Sequence, residues 1–566
     1  MNRVQSSDSQ SDSDTGSNRA DRDELRAVLQ SGNTALGIEF GSTRIKACLI
    51  DADNPGCVIA VGSHEWENEF VDQVWTYSLD AVWEGARAAY AELTAQIHRE
   101  YGVPLRVIGS IGISAMMHGY LAFDTAGELL TPFRTWRNTN TGPAARELSL
   151  EFGLNIPLRW SIAHLHQAVL DREEHLSRVA FLTTLAGYVH WKLTGERVLG
   201  IGDASGMFPI DTAAGDYDSQ LLERYDTLTA GCLPTPHVRD LLPRVIVAGE
   251  QAGHLTLEGA ALLDPTGVLQ PGSALCPPEG DAGTGMVATR SVAPRTGNIS
   301  AGTSIFAMVV LEQPLTRVHD ELDLVTTPAG DLVAMVHCNN GASELAEWVD
   351  LFTEYAHAAG ATLDPDDSYE ILFRSALAAA PDAGGVLAYN HLAGEPLAGL
   401  SEGRPLVVRT PGSQLRLGTF MRAQLYGVFA TLALGMTVLR DENVALDTMF
   451  AHGGMFRTAG VAQRFLAGAL NTPVSLAQTA SEGGAWGAAV LAAYTLNCSS
   501  RRASADTPVA LSDYLDQAVF SDFTFVTVAP DPDDVAGFSH YLVRYKAGLA
   551  IEQAAVAALL PEGESE

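Results

Sequence analysis

PPEGDAGTGMVATRSVAPRTGNISAGTS, residues 277–304, is the stretch around which the reading of this chain turns. It begins with an acid flanked by glycine, Gly280-Asp281-Ala282-Gly283. A short basic, proline-containing link follows, and then a β-like run that ends in Gly302-Thr303-Ser304. Small residues let a backbone approach a ligand closely, and successive N–H groups on such a turn cradle phosphate oxygens. Asp281, carried on such a loop, is a candidate general base beside a phosphate-sized nest. The same residue types also suit an ordinary solvated turn. Two partner loops, near Gly41 and near Gly453, favour the first reading.

The N-terminal partner is TALGIEFGSTRIKACLIDAD, residues 34–53. Residues 35–40 and 45–50 read as strands of a hairpin whose tip is Gly41-Ser42-Thr43. Glu39 precedes the tip and Lys46 lies on the return strand. A carboxylate, a Gly-hydroxyl tip and a lysine at this spacing suit a magnesium-bound polyphosphate, the acid orienting metal-bound water. An ordinary edge hairpin has the same pattern. Strands around Gly302-Thr303-Ser304 repeat it in the second half, which suggests a duplicated unit, each half supplying one side of a phosphate clamp. Near the C-terminal third, a strand over residues 448–452, the turn Gly453-Gly454-Met455-Phe456-Arg457 and a helix over 459–470 suit a nucleotide base and ribose packed on backbone.

Between these loops lie candidates for a small polar ligand. Met116-Met117-His118-Gly119 falls between two strands, and a histidine at a strand end can hydrogen-bond a hydroxyl. Trp136 with Arg137, Asn138 and Asn140 offers an aromatic face beside polar groups, as a sugar requires. Each has a plain alternative, a packed core histidine or a packed surface tryptophan. Helices are expected over residues 79–101, 143–153, 161–195, 343–359, 368–380 and 415–440. A small-residue helix opens at 481–489, a linker follows over 499–510, and short helices fill 511–560.

Composition narrows the class. The chain has 566 residues, too many for one core, so two domains are expected. Hydrophobic residues make up 46%, yet no run of 18 apolar residues predicts a membrane span. A formal charge of −33 argues against a nucleic-acid surface. The six cysteines are dispersed with no Cys-x-x-Cys pair, which reads as reduced thiols and a cytoplasmic enzyme, with a large interaction scaffold as the other reading. No basic-then-apolar leader is visible in residues 1–30, and residues 1–20 are too polar to order.

Taken together, these residues resemble the FGGY carbohydrate kinases of the actin-like ATPase superfamily, particularly the xylulokinase and ribulokinase branches, over about residues 34–550. Glu39-Phe40-Gly41-Ser42-Thr43-Arg44-Ile45-Lys46 is similar to the first phosphate loop of that family, with Glu39 where the family has Asp. Met116-Met117-His118-Gly119 stands for its Gln-Met-His-Gly. Trp136-Arg137-Asn138-Thr139-Asn140 stands for its Trp-Asn-Asp-x-Arg, so Arg137, Asn138 and Asn140 all depart from the pattern. Thr194-Gly195-Glu196 and the Asp203-Ala204-Ser205-Gly206 turn match two further signatures. The base loop, the second phosphate loop and the adenosine motif match at Gly280–Gly285, Gly302–Ser304 and Gly453–Arg457.

The resemblance implies an α/β protein of two actin-like (ribonuclease H-like) domains around a central ATP and sugar cleft. The sugar side, with the base, is expected over 33–294 and the ATP side over 295–550, between tails at 1–32 and 551–566. It implies ATP-dependent phosphorylation of a sugar hydroxyl with Mg2+, most simply on a ketopentose such as xylulose or ribulose. Asp281 is then the base. Met117, His118, Trp136, Arg137 and Asn138 bind sugar. Gly41, Ser42, Thr43, Lys46, Gly302, Thr303, Ser304, Gly453, Gly454, Met455 and Arg457 bind ATP, and Glu39 meets the metal through water. A homodimer is compatible with the family; nucleic acid and membrane are not expected partners. The alternatives are a catalytically weak sugar- or nucleotide-binding regulator of the same fold and an actin-like structural ATPase.

Overall fold

The structure, a computed structural model, describes residues 22–477 and 483–559. The tail expected over 1–32 is therefore described only from residue 22, where residues 22–31 form a helix that buries Leu29. The C-terminal tail expected from 551 is helical as far as Ala558.

The chain folds as two compact units. One takes the chain up to Arg290, then Val325–Asp331 and the stretch ending at Asp522; the other takes Ser291–Leu324, Leu332–Thr479 and Phe523 onward. The first break lies close to the expected 294/295 boundary. The helix Gly483–Ala503, within the expected 295–550, packs on the sheet of the first unit. Long-range packing, not chain order, decides its place.

In the first unit, Thr34–Phe40 has every side chain buried except half-buried Glu39, as a strand covered on both faces should. It pairs antiparallel with Arg44–Asp51, Glu39 opposite Lys46, and parallel with Ser110–Ala115, Glu39 opposite Ser114. Val58–Glu65 extends the antiparallel side. Ala274–Leu275 and Glu279–Gly280 add in parallel to Ser110–Ala115. Phe40, Ala115 and Gly280 consequently stand in register on adjacent strands. The segments that follow them, the loops with Gly41 and Met117 and the helix that starts at Asp281, leave the sheet at one end, the carboxyl end where α/β sheets place ligands.

Helices cover both faces. Leu79–Tyr101 starts at Ser78, whose hydroxyl accepts the Ala81 N–H, and stops at Gly102 in the left-handed conformation. It buries Val82, Ala86, Ala89, Leu93 and Ile97 along one stripe. The Gly483–Ala503 helix approaches the sheet closely because of glycine: a Cβ on Gly37 would stand 1.9 Å from the Ala485 carbonyl, and one on Gly112 2.2 Å from that of Ala488.

The second unit repeats the plan. Thr296–Ala301 and Ile305–Val310 form a hairpin, Leu332–Cys338 pairs antiparallel with the second strand, and Thr448–His452 pairs parallel with the first. Val474–Ala477 and Phe525–Val528 complete that side. The helix Leu417–Asp441 is long and apolar enough to cross a membrane, but 83% of its most apolar window is buried in this core. Both units are mixed α/β layers on a central sheet, as expected.

Three further expectations change. The helix foreseen over 161–195 is two, Ser161–Asp171 and Leu185–Thr194. Arg172 turns left-handed after the first, and the strand Phe181–Thr183 intervenes before Thr184 caps the second. The linker foreseen over 499–510 is helical through Ala503. The short helices foreseen over 511–560 include one of 27 residues, Pro532–Ala558, started by the Asp531 cap and Pro532.

Candidate active site

Asp281 does not lie on a loop. It is the first residue of the helix Asp281–Ala288, directly after the strand Glu279–Gly280. Its Oδ1 accepts the Met117 N–H at 3.2 Å. Burial pushes its carboxyl pKa up to about 6, against the amides of Met117, Ala282 and its own residue, which pull it down. The helix is tied to the sheet by Thr284, whose hydroxyl is 2.8 Å from that of Ser114.

Two further carboxyls, Glu279 and Asp203, are buried behind it. Glu279 is 1% exposed and accepts from the amides of Asp203 at 2.9 Å and Gly202 at 3.4 Å. Asp203 is equally buried; one oxygen accepts the Thr184 hydroxyl at 2.6 Å and the other, Oδ1, has no partner among the described residues. Burial, followed by the Asp203 charge, pushes the Glu279 pKa well up. Burial pushes Asp203 to about 7, with the Asp281 charge adding to the rise. Glycine makes room for the pair, since a Cβ on Gly200 or Gly202 would meet a Glu279 oxygen at 2.1 or 2.4 Å.

The Gly41–Thr43 tip is braced from the protein side. The Trp66 indole N–H donates to the Gly41 carbonyl at 2.7 Å, the Tyr77 hydroxyl to the Ser42 carbonyl at 2.6 Å and the Trp66 amide to the Thr43 carbonyl at 3.2 Å. Trp136 Nε1 reaches Ser42 Oγ at 3.3 Å. The tip carbonyls are thereby occupied, while the Ser42 and Thr43 amides find no partner among the described residues. That arrangement suits an anion. Glu39, opposite Lys46, lies below the tip, and a Cβ on Gly484 would come within 2.4 Å of its Oε1.

His118 is 5% exposed, has a left-handed backbone (φ 71°), and lies parallel to the Trp160 ring at 6.5 Å. An antiparallel bridge between Tyr120 and Arg134 sets the Trp136 loop beside the Met117–Gly119 turn. Trp136 is half-buried and Arg137 exposed. The Arg137 guanidinium covers the Trp75 ring at 4.1 Å. Burial pushes the Tyr77 phenol up to about 12, with the Arg137 charge acting in the opposite direction. Asn138 is buried, and its amide is engaged with the Trp75 backbone, so its contribution is to hold the loop.

In the second unit, the Gly302–Ser304 tip is braced in the same manner. The Ala342 and Gly341 amides donate to the carbonyls of Gly302 at 2.8 Å and Thr303 at 2.7 Å. Gly453, directly after its strand, has φ 114° and ψ 166°, a conformation essentially confined to glycine. A Cβ there would stand 2.2 Å from the Ala301 carbonyl, whereas one on Gly454 meets nothing within 4 Å. Open backbone at Gly302 and Gly454 therefore fits close approach by a nucleotide. Met455 is turned into the core, leaving only its backbone for that role, and Arg457 is exposed.

Residues 34–269 match the N-terminal domain of the FGGY family of carbohydrate kinases, and residues 297–496 match its C-terminal domain. The chain belongs to the FGGY family of carbohydrate kinases. Among curated FGGY relatives, a xylulose kinase of Staphylococcus xylosus is 20% identical over 39% of this chain and 44% of its own. A glycerol kinase of Thermococcus gammatolerans is 23% identical over 35% and 42%. These matches span less than half of the relatives' length. The fold extends further: a xylulose kinase of Brucella ovis superposes with a TM-score of 0.71 at 20% identity, covering 93% of this chain and all of that one. A gluconate kinase of Lactobacillus acidophilus gives 0.72 at 17%, covering 92% and 99%.

No group of three or more His, Cys, Asp or Glu side chains among the described residues could cage a metal ion. The single carboxylate of Glu39 below an anion-suited tip instead fits a magnesium ion held through water and phosphate oxygens.

Proposed function

We propose that this FGGY chain transfers the γ-phosphoryl group of ATP to a hydroxyl of a small sugar, a ketopentose such as xylulose or ribulose being the first acceptor to test. The observation that carries the proposal is Asp281, a carboxyl raised to about 6 and held by the Met117 amide at the carboxyl end of the sheet. At neutral pH it is ionised yet basic enough to take a hydroxyl proton. The Trp136 ring provides an apolar wall for the carbon chain, and the Met117–Gly119 turn polar contacts. Ser42 and Thr43 amides with Lys46 hold phosphate on the first unit; the Gly302–Ser304 tip and the Gly453-Gly454 turn do so on the second. Glu39 would hold magnesium through water, and the ion, when bound, would supply neutralisation of phosphate charge. As the acceptor oxygen bonds to phosphorus, its proton passes to Asp281 and the bond to the departing ADP breaks. None of the six cysteines forms a disulfide among the described residues, which supports a reducing, cytoplasmic setting.

ADP release measured across ketoses, aldoses, polyols and sugar acids, with Asp281→Asn beside wild type, tests the reading. Acceptor-dependent release that the variant loses is expected. Binding of sugar and ATP without turnover on any acceptor would favour the regulator reading, which the longer Glu39 and the altered Trp136 loop motivate.

A further inference from the structure

The loop carrying Trp136 is built to hold a cation in place. Asn138 Oδ1 accepts the Trp75 N–H at 2.9 Å while its Nδ2 donates to the Trp75 carbonyl at 2.8 Å. The Thr135 hydroxyl donates to the same carbonyl at 3.1 Å. Trp75 is further packed on Phe70, ring to ring at 4.8 Å. Onto this fixed ring Arg137 lays its guanidinium. Stacking occupies the face of the guanidinium and leaves its N–H edge open. No carboxylate lies within ion-pairing distance of Arg137 among the described residues, although the chain carries 68 acids against 35 bases. An exposed arginine held by stacking and left without a counter-ion is oriented toward something outside the chain.

Its neighbours say where. Trp136 reaches Ser42, and the Tyr120–Arg134 bridge sets the loop beside the Met117–Gly119 turn. Arg137 thus adjoins the wall assigned to the acceptor. Phosphate already has the unclaimed Ser42 and Thr43 amides and Lys46. A planar two-edged fork is matched best by a planar anion, a carboxylate. A chain of net charge −33 repels anionic substrates and requires a dedicated cation to hold one.

We propose that Arg137 is the specificity-determining residue of the acceptor site, and that the acceptor is a sugar acid whose carboxylate it grips while Trp136 lies along the carbon chain. This rests on the kinase reading above and replaces its first acceptor, a neutral ketopentose, with aldonates and related acids.

The test compares five- and six-carbon sugar acids with the corresponding ketoses and polyols in wild type, Arg137→Met and Arg137→Lys. Methionine keeps apolar contact with Trp75 without charge; lysine keeps charge without the fork. Wild type is expected to prefer a sugar acid. In Arg137→Met the ratio of kcat/KM for the acid to that for a neutral sugar should fall at least about tenfold, with lysine recovering part. Wild-type preference for neutral sugars, or a rise in KM for ATP of equal size with every acceptor, overturns the assignment. If no acceptor yields ADP, the kinase reading fails, and calorimetric titration of the sugar acid still decides the role of Arg137: loss of binding in Arg137→Met supports it, and equal binding overturns it.

Discussion

The Met117 amide and the Asp281 carboxylate meet across 3.2 Å, each on the first turn beyond a strand, where Ala115 and Gly280 stand opposite one another. Register sets this meeting: two parallel strands that end together deliver a donor and an acid to one spot. The amide supports the ionised form, and burial outweighs it, which leaves a carboxylate of raised basicity. Asp281→Asn keeps shape and removes the proton acceptor. It should lower kcat about 10²–10⁴-fold with unchanged or slightly higher melting temperature, because a buried charge is lost. ADP release beside thermal unfolding checks both. Turnover within a few-fold of wild type would remove Asp281 from the chemistry.

As the proposed base Asp281 acts in its ionised form, so kcat/KM should rise with pH through about 6 and then level off. An ordinary aspartate at 3.8 would give a flat profile over that range. A pH–rate series from 4.5 to 8 in constant ionic strength distinguishes the two.

Asp203 and Glu279 lie side by side with no ion pair to either among the described residues. The folded pKa of Asp203, raised from 3.8 to about 7, lets the folded chain keep a proton that the unfolded chain has released between those values. Stability therefore falls as pH rises across that window and stays reduced above it. Asp203→Asn, which can still accept the Thr184 hydroxyl, should stabilise the protein at pH 8 by roughly 1–3 kcal/mol. The gain should vanish toward pH 4. Glu279→Gln should move the same way, its pKa being raised as well. Denaturant melts at pH 4, 6 and 8 provide the comparison; a gain independent of pH would contradict the assignment.

Local signals made much of this site legible. Both hairpins fall where apolar runs flank Gly-hydroxyl tips, and the Gly453 turn follows its strand Thr448–His452 as expected. What escaped were features made by distant contacts. DAGTG has poor helix propensity, yet Asp281–Ala288 is a helix because Met286 and Val287 enter the core and Gly487 lets another helix close over Thr284. Nothing local to Pro277-Pro278-Glu279-Gly280 marks Glu279 for burial, and only the fold brings Gly200 and Gly202 around it. Trp66 and Tyr77 brace the first tip from 23 or more residues away, with no local pattern to announce it.

The close approach of the Gly483–Ala503 helix makes glycine positions unequal. Gly37→Ala would drive a methyl group into the Ala485 carbonyl and the Ala489 amide, both backbone atoms that cannot step aside. A loss of ~3 kcal/mol or more is expected. Gly285→Ala, inside a helix with nothing within 4 Å of the new carbon, should be neutral or stabilise by about 0.5–1 kcal/mol. Thermal unfolding of the two variants side by side tests whether the contact or mere loss of glycine matters; equal destabilisation would deny the contact its role.

Gly484 adjoins both Glu39, the proposed partner of magnesium-bound water, and the helix of the proposed base. A Cβ there would stand 2.4 Å from Oε1 of Glu39 and 3.0 Å from the hydroxyl of Thr284, on the helix that starts with Asp281. Glu39 ends a flexible side chain and can yield, so Gly484→Ala should cost stability little, under about 1 kcal/mol. The displaced carboxylate, however, would no longer orient water on magnesium. A misplacement of this order lowers kcat about tenfold to a hundredfold and raises the magnesium requirement. Glu39→Asp shortens the acid by one methylene and vacates the space the new methyl group needs. In that background Gly484→Ala should therefore cost far less than in wild type, so the two substitutions are non-additive. A double-mutant cycle on kcat, run across a magnesium titration, measures the coupling. Strict additivity would mean that Glu39 and Gly484 act separately and that the glycine serves packing alone.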